Sequence, residues 1–174
     1  MPNVSHIISS HNKQVLQKPD IDTNTSNDSN CNCRQSRQCP LDGECLTSGV
    51  IYQATVTQQD NQKEETYIGL TENSFKTRYN GHTHSFNHRD KRNATTLSEH
   101  VWDLKDKNIT FVIKWKILSK AKSYNVCNKR CNLCLEEKYF IILKPDLSSL
   151  NKRNELLSSC RHRRKYLLSN YNAN

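Results

Sequence analysis

No stretch of this sequence is long and apolar enough to span a bilayer. Its first ten residues lack a basic region leading into a sustained apolar one, so no secretory signal is expected. Asn93-Ala94-Thr95 and Asn108-Ile109-Thr110 then read as chance triplets in an Asn-rich chain, not as glycan acceptors. Hydrophobic residues are 34% and aromatics only 7% of 174 residues, which limits the chain to a modest core and one compact domain with attachments. The strand–helix alternation of a parallel nucleotide-binding fold is missing. Nothing in the sequence resembles a dedicated base-reading helix.

What is present is positive charge. The chain has 26 Lys and Arg against 17 Asp and Glu, a net of +9. Residues 1–30 carry Lys13 and Lys18 against Asp20, Asp22 and Asp28, so their net is −1 and the remainder carries +10. A compact basic body points to a polyanionic partner, although charge alone does not separate DNA from RNA or an anionic membrane. Residues 1–30 are polar and cannot bury enough to offset ordering; they read as a disordered tail or a linker to a larger upstream protein. Residues 169–174 read as a disordered end.

Between these ends the pattern predicts an α+β domain. Residues 50–57 are rich in β-branched side chains and read as a strand, and 66–70 as a second, joined to it in a hairpin. Asn73 is the expected cap of a helix over 74–86, with Phe75, Tyr79, His82 and Phe86 at helical spacing. Residues 90–93 read as a polar connection. Thr96 and Glu99 fit a capping box for a second helix, whose apolar stripe is Leu97, Val101 and Leu104. Residues 111–118 alternate as a third strand, with Phe111, Ile113, Trp115 and Ile117 on one face and Lys114 and Lys116 on the other. A third helix is expected over 132–144, stopped by Pro145. A fourth is expected over 151–158, before a basic end in which 151–174 carry a net +5. A small three-stranded antiparallel sheet flanked by helices accounts for this order.

Several residues carry chemistry. Arg78 and His82 are i, i+4 and share a helix face. Read blandly, they are a surface arginine and a packing histidine. Glu137 breaks the apolar side formed by Leu133, Phe140 and Ile141, where a carboxylate is costly unless paired or on a metal. Its plain reading is a rim salt bridge; its functional reading is a one-carboxylate Mg²⁺ or Mn²⁺ site. Glu136 reads as solvated. Tyr52 and Tyr67 lie on paired strands, where tyrosines ordinarily pack. Beside Gly69, the Arg/His face and Glu137, they suit phosphodiester hydrolysis, which needs a base, a cation and a metal.

The 8 cysteines are expected to be reduced. Cys31, Cys33, Cys39 and Cys45 lie in a segment with almost no hydrophobic content, which a structural Zn²⁺ would hold. Cys127, Cys131, Cys134 and Cys160 (or His162 in the last place) are a candidate second zinc site. That zinc would pin the Glu137 helix, and buried small cysteines are the plainer alternative. Arg161, His162, Arg163, Arg164 and Lys165, with Lys114, Lys116, Lys120, Lys122, Lys129 and Arg130, can grip phosphates without reading sequence.

Gly49-Val50-Ile51-Tyr52, followed by Tyr67-Ile68-Gly69, resembles the paired motif that names the GIY-YIG nucleases. Thr71, Asn73, Arg78 and His82 follow at similar spacing, then Glu137 and Asn151. Cys39-Pro40-Leu41, the block 71–78, Trp102-Asp103-Leu104-Lys105, the block 131–138 and Cys160-Arg161-His162 are similar to the endonuclease domain of Penelope-like retroelements. The likeness spans 31–168. The chain departs from the pattern at Val50, where the family carries glycine. It also has no cysteine between Gln53 and Thr66, where some Penelope-like domains have them.

The resemblance implies a cysteine-rich zinc segment at 31–48 and a nuclease domain at 49–168. It implies that Glu137 holds Mg²⁺ or Mn²⁺, Arg78 stabilises transition-state charge, and Tyr52 or Tyr67 (Tyr52 favoured) activates water. His82 would orient that tyrosine or take its proton, and Asn151 would support the site. The implied partners are DNA and an upstream reverse transcriptase, in the nucleus, with no membrane and no small-molecule substrate. The alternative is an inactive zinc-stabilised nucleic-acid-binding module from a decayed element copy.

Overall fold

A computed structural model describes residues 30–122 and 131–152 of the chain. Among them is one antiparallel sheet of three strands, ordered β2-β1-β3. The strands are β1 (Val50–Gln58), β2 (Glu64–Thr71) and β3 (Phe111–Lys120). Three α-helices flank it: α1 (Phe75–Asn87), α2 (Thr96–Asp106) and α3 (Asn132–Leu143). The α+β architecture with its three-stranded sheet is as expected.

Strand β1 is the spine. Every residue from Val50 to Ala54 is buried, because both faces of the strand are covered. Val50, Tyr52, Ala54 and Val56 face Phe75 of α1 and Leu97, Val101 and Leu104 of α2. Ile51 faces the other way, into a smaller cluster with Ile68 of β2 and Leu133 and Cys134 of α3. The period of two along a strand therefore divides one sequence run between two cores. On β3 the alternation is half-buried against exposed: Ile113, Trp115 and Ile117 pack inward, while Lys114 and Lys116 stay in solvent.

The start of β1 needs a glycine. Gly49 has φ +63°, and a Cβ there would come 2.8 Å from the Ala121 carbonyl oxygen. It accepts from Ala121 N at 2.8 Å and donates to Glu72 O at 3.2 Å, closing the end of the sheet. Val50 is fully buried and contributes a side chain to the core. Glycine thus sits where the backbone turns, and valine where the core begins.

The helix starts differ from expectation by one residue each. Ser74, not Asn73, caps α1, its side chain accepting from Thr77 N. Thr95, not Thr96, caps α2 and accepts from Ser98 N, so the Thr96–Glu99 box does not form. Both pairs keep the spacing a cap needs, and each start offers two capping residues in a row, Asn73-Ser74 and Thr95-Thr96. The expected polar connection is a 3-10 helix, Arg89–Ala94. Helix α3 ends before Pro145, as expected. Asn151 and Lys152, at the start of the expected fourth helix, are not helical; 153–158 lie outside the described residues. So do 1–29, where the polar tail was expected, the basic end and 169–174.

Candidate active site and cysteine cluster

Tyr52 lies at the centre. Its ring packs edge-on against Phe75 with centroids 5.3 Å apart, and against His82 at 5.8 Å. Opposite it on β2 is Gly69. A Cβ at 69 would lie 2.4 Å from the Tyr52 hydroxyl, so only glycine lets the phenol cross the strand. The glycine of the second motif is thereby a steric condition for the tyrosine of the first.

The phenol is held by α1. Arg78 Nε donates to the Tyr52 oxygen at 2.8 Å, and His82 Nε2 lies 2.7 Å from that oxygen. Arg78 can only donate, so the Tyr52 oxygen accepts from it, and the direction of the second bond depends on which nitrogen of His82 carries the proton. Burial, with the Arg78 charge second, pushes the His82 imidazole down to about 3. His82 is therefore neutral at physiological pH. Burial also pushes the Tyr52 phenol well above its usual range; the Tyr67 and Glu137 charges add to this, and Arg78 opposes it. Arg78 bonds Tyr67 as well, so its guanidinium joins the two tyrosines. Burial would lower its pKa, but the tyrosines hold it above its ordinary value. Arg78 and His82 thus make contacts beyond the surface and packing roles of their bland reading.

Glu137 comes from the other face. It is only 4% exposed, on the side of α3 that carries Leu133. Its charge is felt by Tyr52. Glu136 is not solvated: it is half-buried and accepts from Ser119 Oγ, tying α3 to β3. Asn151 sits beside β2, an edge strand. Its Oδ1 accepts from Ile68 N and its Nδ2 donates to Ile68 O, both at 2.8 Å. Sequence reasoning missed the rest of this clamp. Ser149 Oγ accepts from Thr66 N at 2.8 Å, and Leu150 N donates to Thr66 O at 2.9 Å. The clamp brackets Tyr67 between Thr66 and Ile68. The one available signal was Ser148, Ser149 and Asn151, following a helix that ends at a proline. Next to Arg78, an open groove of about 350 Å³ is lined by Leu70, Thr71, Glu72, Asn73, Thr77, Arg78 and Gly81.

The four N-terminal cysteines converge. The sulfurs of Cys31, Cys33, Cys39 and Cys45 all lie within 4.8 Å of one another and could hold a metal ion. Cys33–Cys45 is 3.7 Å and Cys45–Cys31 is 3.4 Å. A tetrahedral zinc with bonds of about 2.3 Å needs sulfurs about 3.8 Å apart, so the donor set fits. Burial and the neighbouring thiols push Cys45 up to about 12. Burial also raises Cys39, but the Leu41 and Gly43 amides outweigh it and bring the thiol to about 7. Crowded thiols resist losing all their protons, and a divalent cation is what would make four thiolates stable together. The segment packs Cys39, Leu41 and Cys45 onto the core. Its carbonyls also finish α1, with Phe75 N donating to Thr47 O and Lys76 N to Cys45 O at 2.8 and 2.7 Å.

Of the other cysteines, Cys131 and Cys134 are buried at the start of α3. Cys127, Cys160 and His162 lie outside the described residues, as do Lys129, Arg130 and the 161–165 run. Among the described residues, the N-terminal four are the one group of three or more His, Cys, Asp or Glu placed to hold a metal. Lys114, Lys116, Lys120 and Lys122 are exposed. No helix among the described residues is long and apolar enough to cross a membrane.

No protein-family model, no curated protein and no solved structure matches the chain.

Proposed function

We propose that this chain is a divalent-metal-dependent DNA endonuclease of the GIY-YIG type, closest in sequence pattern to that of Penelope-like elements, which nicks target DNA for insertion. The observation that carries the reading is the Arg78–Tyr52–His82 hydrogen-bonded set, built from three separated motif positions. Tyr67 and Glu137 border it. Such a set is costly to bury and contributes little that plain packing would not.

Glu137 would hold Mg²⁺ or Mn²⁺, which keeps several waters and binds through one or two carboxylates plus substrate phosphate. When bound, that ion supplies charge stabilisation at the phosphate oxygens. Arg78 turns from the tyrosines to the developing phosphorane charge. Tyr52 would activate the attacking water, with neutral His82 orienting its hydroxyl through the Nε2 contact. The cysteine cluster binds structural Zn²⁺ and fixes α1. An upstream reverse transcriptase and a nuclear setting complete the reading.

A second reading, a zinc-stabilised nucleic-acid-binding module without catalysis, is favoured by one observation. Tyr52 has no exposed surface, and its oxygen is already engaged by Arg78 and His82. Supercoiled plasmid separates the two. The catalytic reading expects nicking with Mg²⁺ or Mn²⁺, lost in both Glu137→Ala and Arg78→Ala while both variants stay folded. Losing such transition-state contacts costs about 3 kcal/mol, or roughly a hundredfold in rate. Salt-sensitive DNA binding by all three proteins without nicking would move the conclusion to the binding module.

A further inference from the structure

Gly81 lies in the middle of α1, where glycine is among the least favourable residues. The other glycines near the site have steric reasons: Gly49 has a left-handed φ and Gly69 lies under Tyr52. Gly81 has neither. Its φ is not in the left-handed region, the position is exposed, and among the described residues a Cβ there meets nothing within 4 Å. The fold alone therefore does not ask for glycine at 81.

The groove supplies the reason. Gly81 shares its wall with Thr77 and Arg78, one turn back along α1. A helical side chain leans toward the N-terminus and covers the preceding turn. A long side chain at 81 would lean over Thr77 and Arg78 and into the groove.

We propose that Gly81 keeps this groove open so that one DNA strand lies directly against the α1 backbone, with a phosphate at Arg78. This deepens the nuclease reading and rests on it for the identity of the partner. The Arg78 wall takes the phosphate. Glu72, whose carboxylate would repel phosphate, and Asn73 line the same groove and would be left to sugar or base, which offer hydrogen-bond donors.

The test uses the full chain, Gly81→Ala and Gly81→Gln, with a fluorescent DNA duplex in buffer without added Mg²⁺ or Mn²⁺. Both variants are expected to melt at or above the parent, since alanine and glutamine favour helix. Gly81→Gln is expected to bind about tenfold more weakly or worse, and Gly81→Ala to fall between. Parent-like binding by Gly81→Gln overturns the proposal, as does a lower melting temperature, which would show that the fold needs the glycine. The two readings fail separately. Nicking with no effect of Gly81→Gln removes the groove and leaves the nuclease. Binding lost in Gly81→Gln, with no nicking by the parent, keeps the groove and removes the catalysis. No DNA binding by the parent overturns both.

Discussion

The two faces of β1 are made of different material. On one, Tyr52, Tyr67, Phe75, Trp115 and His82 form an aromatic layer with Arg78 at its edge. On the other, Ile51, Ile68, Leu133 and two cysteines pack as aliphatic and sulfur surface, with Glu137 on the inward side of α3. The cation and the acid of the proposed site thus come from helices on opposite faces. Each helix has its own anchor. The N-terminus of α1 is finished by carbonyls of the cysteine segment. Helix α3 begins at Cys131 and is tied by Glu136 to β3. Such a site can lose half its members while the sheet stays folded.

The largest expected effect tests that separation. In zinc-finger peptides, structural zinc contributes about 10–16 kcal/mol of apparent binding free energy. The segment from Cys31 to Cys45 buries little apolar surface besides Cys39, Leu41 and Cys45. Chelation of the zinc-loaded protein, or Cys45→Ser, is expected to release this segment and the first turn of α1. Hydrogen exchange then reports fast amides at Phe75 and Lys76 and retained protection in Leu133–Phe140. Equal loss in α1 and α3 would mean that the two faces share one anchor, and the contrast drawn above would fail.

A smaller effect separates the faces by pH. Unfolded, His82 titrates near about 6.5; folded, burial holds it near 3. Between those values the unfolded chain binds a proton that the folded chain does not. Stability therefore rises with pH through this window. The contribution is complete above about 6.5 and is lost progressively as pH falls toward 3. From pH 7 to pH 5 the loss is about 2 kcal/mol. Urea unfolding of the parent and of His82→Gln checks this: the variant is less stable at pH 7 but has a flatter pH dependence. Equal slopes would remove the buried neutral histidine from the account.

How much of this was legible depends on whether the signal was local. The alternation in 111–118 gave β3 and its lysine face, because period two needs no partner to be read. Leu97, Val101 and Leu104 gave α2 for the same reason. The caps slipped by one residue because Asn73-Ser74 and Thr95-Thr96 each offer two capping side chains in a row, and tertiary entry of the chain decides between them. Glu136 was misread because only the position of β3 brings Ser119 to it. Gly69 could be noted in the sequence, but its reason is a cross-strand ring that no spacing reveals. The convergence of four cysteine sulfurs followed from their number in a segment without a core. The Asn151 clamp needed the knowledge that β2 is an edge strand.

The two caps give the smallest and sharpest comparison. Ser74 caps α1, and Thr95 caps α2, each accepting from an amide three residues on, at 3.4 and 3.0 Å. Replacing either by alanine is expected to cost about 1 kcal/mol, since the same kind of orphan amide is left. Urea unfolding should not tell the variants apart. The proposed nicking should, because α1 carries Arg78 and His82 while α2 carries none of the proposed catalytic residues. Thr95→Ala leaves the Ser85–Ser98 hydroxyl pair at 2.7 Å and the Ser85 bond to the His82 carbonyl in place. Ser74→Ala loosens the turn that contains Arg78, and a 1 Å misplacement of a charge-stabilising group costs about a hundredfold in rate. If Thr95→Ala slowed nicking equally, the hydroxyl chain from α2 to His82 would be part of the support, and the aromatic face would work as one block instead of through α1 alone.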